Sequence, residues 1–270
     1  LTRVLELGGT DTITYGLLGF AYSSVENFLA AESAYRMAIL MDPDTLDWKM
    51  GLARSFFKQE RYAEAVAITG QLIKQNPERA DLWLLQANAY IGLKEPLEAA
   101  ENYEIVDNLG KSTVDSLNML GDIYINEELY NLAVDTYIRS MNKEAQGNLN
   151  RAIRAAKILA ARAAYNETGQ LIDQIKNVYS DTISKEDQKS LLKIEARLAV
   201  AEGKGEEEIE VLKKIVELDP LDGEALILLG QHHSQLGDSE KAIFYFERAA
   251  SIDEFEADAK VRHAQLLVKN

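Results

Sequence analysis

The feature that most limits what this chain can fold into is a 34-residue period, and three of its four prolines mark it. Pro43 closes Leu40-Met41-Asp42-Pro43, Pro77 closes Lys74-Gln75-Asn76-Pro77, and Pro220 closes Glu217-Leu218-Asp219-Pro220. The first two lie 34 residues apart; the next interval is 143, four further periods with seven residues left over. Repeats of this length stack, so each buries its apolar face against its neighbours rather than in one central core. With Thr12 as position 1, position 8 reads Gly19, Ala53, Ala87 and Gly121, and position 20 reads Ala31, Ala65, Ala99 and Ala133. Position 11 reads Tyr22, Phe56, Tyr90 and Tyr124, so four repeats share one register over residues 12–147.

The register then slips by one. A divergent repeat follows at 149–182, and residues 183–188 read as a six-residue insertion. Register resumes at 189–222 with Ala196, Leu212 and Ile215, and at 223–256 with Gly230, Ala242, Phe246 and Ala249. The expected organisation is a remnant of an earlier repeat at 1–11, four in-register repeats at 12–147, a divergent repeat plus insertion at 148–188, two repeats at 189–256, and a capping helix at 257–270. In that cap Val261, Ala264, Leu267 and Val268 are expected to face inward, with Lys260, Arg262 and Lys269 outward. With no initiator Met and an opening that reads as a helix tail, the chain is expected to be a processed or trimmed product.

Within each period the apolar spacing is helical: Leu18 with Tyr22, then Ala31, Tyr35 and Ala38 on one face. Polar turns such as Glu60-Arg61-Tyr62 and Gly237-Asp238-Ser239 fall between the two helices. Pro96 sits where a second helix begins and its missing N–H costs little. Small residues at positions 8 and 20 let helices approach, and aromatics at 11 and 24 fill the space between hairpins. Tyr15, Tyr22, Tyr35, Tyr90, Tyr103, Tyr124 and Tyr137 are therefore expected in the core.

This pattern (Tyr15, Leu18, Gly19, Tyr22, Ala31, Tyr35, Ala38, Pro43, and again Trp83, Ala87, Tyr90, Ala99, Tyr103) resembles the tetratricopeptide repeat. The resemblance implies an all-α, right-handed solenoid of about seven helix-turn-helix repeats plus the cap. It also implies a non-enzymatic scaffold that binds a peptide or protein segment in a concave groove lined by the first helices. Carried onto this chain, the groove positions give Arg54, Phe57, Asn88, Asn118, Asp122, Lys157, Lys193 and Arg197, with Arg154 beside Lys157. Asparagine there can both donate to and accept from a peptide backbone, and Phe57, Ile91 and Ile125 are expected to offer apolar pockets. Residues 149–165 carry Arg151, Arg154, Lys157 and Arg162 with no acid, which suggests an anchor for an acidic segment or a C-terminal carboxylate. The two-carboxylate clamp of chaperone-binding members is not matched, because Gly16 and Phe20 stand where it needs Lys and Asn. The alternatives are an accessory region of a larger enzyme, signalling or secretion/envelope-assembly protein, or a self-assembling scaffold.

Composition enters by exclusion. With 29 Lys+Arg against 44 Asp+Glu the formal charge is −15, which opposes nucleic-acid binding. The longest charge-free stretch, residues 12–25, is too short to span a membrane. No cysteine is present, so thiolate chemistry and Cys-based metal sites are ruled out. His232 and His233 are adjacent and diverge by about 100° on a helix, so they cannot share a metal. No catalytic residue, cofactor site or metal site is expected. Asn166-Glu167-Thr168 matches a glycosylation sequon, but Thr168 is needed for packing at position 20.

Overall fold

The computed structural model describes residues 11–143 and 149–269, and every regular element in them is a helix. The order is α1 (Thr12–Ser24), α2 (Phe28–Met41), α3 (Leu46–Lys58), α4 (Tyr62–Gln75), α5 (Ala80–Leu93), α6 (Pro96–Asn108), α7 (Val114–Asn126) and α8 (Tyr130–Lys143). Then come α9 (Leu149–Ala161), α10 (Tyr165–Tyr179), α11 (Lys185–Ala201), α12 (Gly205–Leu218), α13 (Gly223–Gln235), α14 (Ser239–Ala250) and α15 (Glu256–Lys269). α1, α3, α5 and α7 start at residues 12, 46, 80 and 114, and α2, α4, α6 and α8 at 28, 62, 96 and 130, so the period predicted from the prolines is the period of the helices. The remnant expected at 1–11 lies, apart from Asp11, outside the described residues.

The helices start and stop for local reasons. The Asp11, Asn27, Ser184, Asp222 and Asp238 side chains each accept a backbone N–H of the turn they open. Thr113 and Ser116 cap α7 reciprocally. The first helix of each hairpin is broken by a residue of positive φ: Glu26, Glu60, Lys94, Glu128, Ala163, Gly203 and Gly237, between +59° and +76°. All seven fall at position 15, so the left-handed turn belongs to the repeat rather than to glycine, which occupies only the last two sites. The insertion at 183–188 does not form a loop. Ser184 caps Asp187 N–H, and residues 185–188 add a turn to the front of α11.

Two compact units emerge, Leu1–Glu128 and Leu129–Asn270. In the first unit successive helices pack on their sequence neighbours; in the second α8 packs on α10, and α9 on α10 and α11. Tyr35, Tyr103, Tyr124 and Tyr137 are buried, and Tyr15, Tyr22 and Tyr90 are half-buried. A Cβ added at Gly19 would lie 2.7 Å from the Tyr35 ring, and one at Gly230 would lie 2.6 Å from Phe246, which is why position 8 stays small. Thr168 is fully buried and donates to Ala164 O at 2.7 Å.

The face expected to turn inward on the cap is corrected. Ala259 and Leu266 are buried against the seventh hairpin, while Val261, Ala264, Leu267 and Val268 are exposed. α15 occupies the place of a first helix, numbered from Ala257. Positions 3 and 10 of a first helix meet the hairpin before it; positions 8 and 11 wait for a second helix, and among the described residues none follows.

Candidate functional site

The residues predicted for the groove do not share one environment. In the first unit Arg54 and Asn88 reach solvent, and Asn88 Oδ1 accepts a bond from the Tyr103 hydroxyl at 2.9 Å. Phe57 is half-buried, its ring edge-on to Tyr62 with centroids 5.6 Å apart. Asp122 is half-buried. Asn118 is only 3 % exposed, and Ile125 is buried as well. Neither offers the surface expected of it: α7 buries Ser116, Leu117, Asn118, Leu120, Ile123, Tyr124 and Ile125 over most of its circumference and stays open along one stripe, Asp115, Met119, Asp122 and Asn126, narrower than the register implies.

In the second unit Arg154, Lys157 and Arg197 are exposed. Among the described residues these three make no ion pair, so their charge is available. Lys193 is different: its ammonium lies 2.9 Å from Asp222 and 3.1 Å from Glu224. Burial disfavours the charged form, but the hydrogen bonds Lys193 donates to Asp222 and Glu224 outweigh it and lift the pKa above the ordinary 10.5. Lys189 repeats the arrangement one turn earlier, 2.8 Å from Asp219. The two lysines fasten α11 to the start of α13, where Asp222 also caps Ala225 N–H at 3.1 Å. Sequence reasoning missed this link because the partners stand some 30 residues apart and carry no local signature.

It missed a pocket too. Between α11, α12 and α13 lies a cavity of about 180 Å³ with an apolar floor of Ala196, Leu212, Ile215, Ala225 and Leu228. Val200, Lys193, Arg197, Glu208, Asp222 and Glu224 complete its lining. Glu208, which stands where the repeat usually has a small residue, is thereby a lining residue rather than a core defect. Lys193 and Arg197 are the two lining residues that the sequence singled out.

His233 stacks on Tyr245 with ring centroids 5.6 Å apart and planes 13° off parallel. Neither ring nitrogen has a hydrogen-bond partner, and burial pushes its pKa below 6.5. It packs as the aromatic of its repeat. Among the described residues no three His, Asp or Glu side chains gather as metal ligands, and no helix is long and apolar enough to cross a membrane.

Stacked 34-residue helical hairpins with a polar, pocketed face define the class of helical-repeat interaction scaffolds. The tetratricopeptide-repeat family profiles match residues 24–101, 114–142 and 223–255, and the chain belongs to that family. Similar solved structures include a tetratricopeptide repeat protein from Parabacteroides merdae (15 % identity, 95 % of this chain and 98 % of that one, TM-score 0.53). YrrB, described as a repeat protein with an unusual peptide-binding site, is 18 % identical over 67 % of this chain and 93 % of its own, TM-score 0.53. MamA is 18 % identical over 71 % of this chain and 95 % of its own, TM-score 0.52. These likenesses establish the fold. No curated protein sequence matches the chain.

Proposed function

We propose that this tetratricopeptide array is a non-enzymatic scaffold that captures an extended protein segment carrying a carboxylate. The segment lies along the first helices of the second unit, and its carboxylate pairs with Arg197 and, nearby on α9, with Arg154 or Lys157. The observation that carries this reading is an unpaired guanidinium on the rim of an apolar pocket. A side chain next to the carboxylate fills the Leu212–Ile215–Leu228 floor while the charge stays at the rim, the division of labour that gives small sites both affinity and orientation. Lys193 is neutralised by two carboxylates and serves mainly to hold the pocket wall. Arg54, Phe57, Asn88 and Asp122 on the first unit are candidate secondary contacts; Asn118, being buried, is not. YrrB, a peptide-binding relative by its description, is consistent with a peptide ligand.

Fluorescence polarisation with a panel of short peptides ending in an aliphatic residue, each with a free or an amidated C-terminus, tests this. The free acid should bind more tightly, and Arg197→Gln should abolish the difference while Lys193→Gln largely preserves it. Equal binding of acid and amide by the unsubstituted chain would sink the carboxylate anchor.

A further inference from the structure

The pocket beside Arg197 has a charge arrangement that a carboxylate alone does not match. Position 20 of the repeat is Ala31, Ala65, Ala99, Ala133, Thr168 and Ala242 in the other hairpins, every one fully buried. At 189–222 it is Glu208, half-buried, and the cavity of about 180 Å³ opens beside it.

Glu208 and Arg197 stand at the same end of their hairpin. Arg197 lies about one turn before α11 stops at Ala201, and Glu208 about one turn after α12 starts at Gly205. From Glu208, Leu212 and Ile215 follow at i+4 and i+7 on one face of α12, so the aliphatic floor runs away from the two charges. The other charges of the lining are committed to one another: Lys193 holds Asp222 at 2.9 Å and Glu224 at 3.1 Å. Among the described residues neither Arg197 nor Glu208 makes an ion pair or a side-chain hydrogen bond. Two cations and three carboxylates line the cavity, so its formal charge is −1. A lone anion would deepen that imbalance; a group bearing both charges would not.

We infer that this pocket binds a free α-amino acid with an aliphatic side chain, which competes there with the captured segment. The inference rests on the carboxylate reading of Arg197. The carboxylate pairs with Arg197, the ammonium with Glu208, and the side chain lies over Leu212, Ile215 and Leu228. The floor is aliphatic throughout, and the volume is below the roughly 300 Å³ at which pockets for drug-sized molecules begin. A peptide end offers Arg197 the same carboxylate but brings Glu208 only a neutral amide N–H. The free amino acid is the fuller match, so capture of a segment becomes sensitive to its concentration.

Isothermal titration calorimetry of the full 270-residue chain with three ligands of one carbon skeleton tests this. They are L-leucine, leucine amide, which lacks the carboxylate, and 4-methylpentanoate, which lacks the ammonium. Leucine should bind most tightly, each analogue being weaker by about tenfold or more. Glu208→Gln should equalise leucine and 4-methylpentanoate while leaving leucine ahead of leucine amide. Glu208→Ala, which restores the residue of the repeat, should do the same, with far-UV circular dichroism melts confirming that both variants are folded. In fluorescence polarisation, leucine should displace a labelled peptide with a free aliphatic C-terminus. If leucine and 4-methylpentanoate bind alike, or leucine shows no saturable binding up to about 10 mM, this inference falls. The carboxylate anchor still stands in that case as long as acid peptides outbind their amides. Equal binding of leucine and its amide, with acid and amide peptides also equal, removes the anchor and this inference together. Leucine that binds without displacing the peptide overturns the competition.

Discussion

The sharpest energetic test lies in the core of the first unit, where α4, α5 and α6 meet around a chain of buried polar groups. Position 7 of the first helices is Leu18, Leu52, Leu120 and Leu229 in other hairpins, but Gln86 in the third. Gln86 Nε2 donates to Thr69 Oγ1 at 3.1 Å and to Val66 O at 3.2 Å, and its Oε1 accepts from Asn102 Nδ2 at 3.1 Å. Thr69 is fully buried, and Gln86 and Asn102 are nearly so. Replacing Gln86 by Leu restores the residue of the repeat and gains apolar burial of about 1–2 kcal/mol. It also orphans the Asn102 amide in a dry site, costing about 1–3 kcal/mol, and removes two further bonds worth about 1 kcal/mol each. Thr69 is the least affected, because its hydroxyl still donates to Ala65 O at 2.7 Å. The net expectation for Gln86→Leu is a loss of about 1–4 kcal/mol.

The double variant Gln86→Leu/Asn102→Leu should recover most of that loss, giving a coupling of about 1–3 kcal/mol in the cycle. Urea unfolding followed by tryptophan fluorescence reads the relevant region, since both tryptophans, Trp48 and Trp83, lie in the first unit. If Gln86→Leu alone stabilises, or the two single effects add to within about 0.5 kcal/mol, the polar chain is not a coupled unit and the reasoning fails.

Four further outcomes follow from the same kind of accounting. His233 is held neutral by burial, so the second unit should lose stability as pH falls below 6.5, where the unfolded chain takes up the proton first; His233→Phe should flatten melting temperature between pH 7.5 and about 5. Ala163 sits at φ +59°, so Ala163→Gly, normally harmful near a helix, should raise stability by about 0.5–1 kcal/mol in chemical denaturation. Gly16→Ala would place its Cβ 2.3 Å from the Trp48 ring and should cost about 1–3 kcal/mol despite better helix propensity. Gly169→Ala, in α10 with open space around it, should gain about 0.5–1 kcal/mol, so the two alanines should move the melting temperature in opposite directions.

Much of the fold was legible because a repeat states every constraint several times. Helix starts at 12, 46, 80 and 114 follow from spacing that Pro43 and Pro77 already set out. What spacing could not reveal was which side of a helix is covered by something distant in sequence. Asn118 looks like a groove residue by register, yet α7 is open only along Asp115, Met119, Asp122 and Asn126. Leu267 looks like a core residue by register, yet the helix that would cover it does not follow among the described residues. The left-handed turn at position 15 was hidden for another reason: Glu26, Glu60, Lys94, Glu128 and Ala163 carry no turn signal, and the packing of two helices in 34 residues imposes the conformation on them. The Lys193–Asp222 link and the pocket behind it arise from separate helices brought together by stacking, which no local pattern announces.

These discrepancies have a common form. Residues that obey the repeat account for the fold, and residues that break it mark where the chain does something of its own. Gln86 in place of Leu, Phe20 in place of a polar groove residue, Glu208 in place of a small one, and the acid-free run of α9 each depart from the residue the repeat usually has there. A neutral accident at any of them should revert to the repeat residue with no effect beyond stability. For Gln86 the only expected effect is on stability, which makes it the control. For Arg154 in that run a neutral replacement such as Gln should leave melting unchanged, because the side chain is exposed. The loss should appear in carboxylate-peptide binding alone, and that separation between folding and binding distinguishes a ligand site from a repeat that has merely drifted.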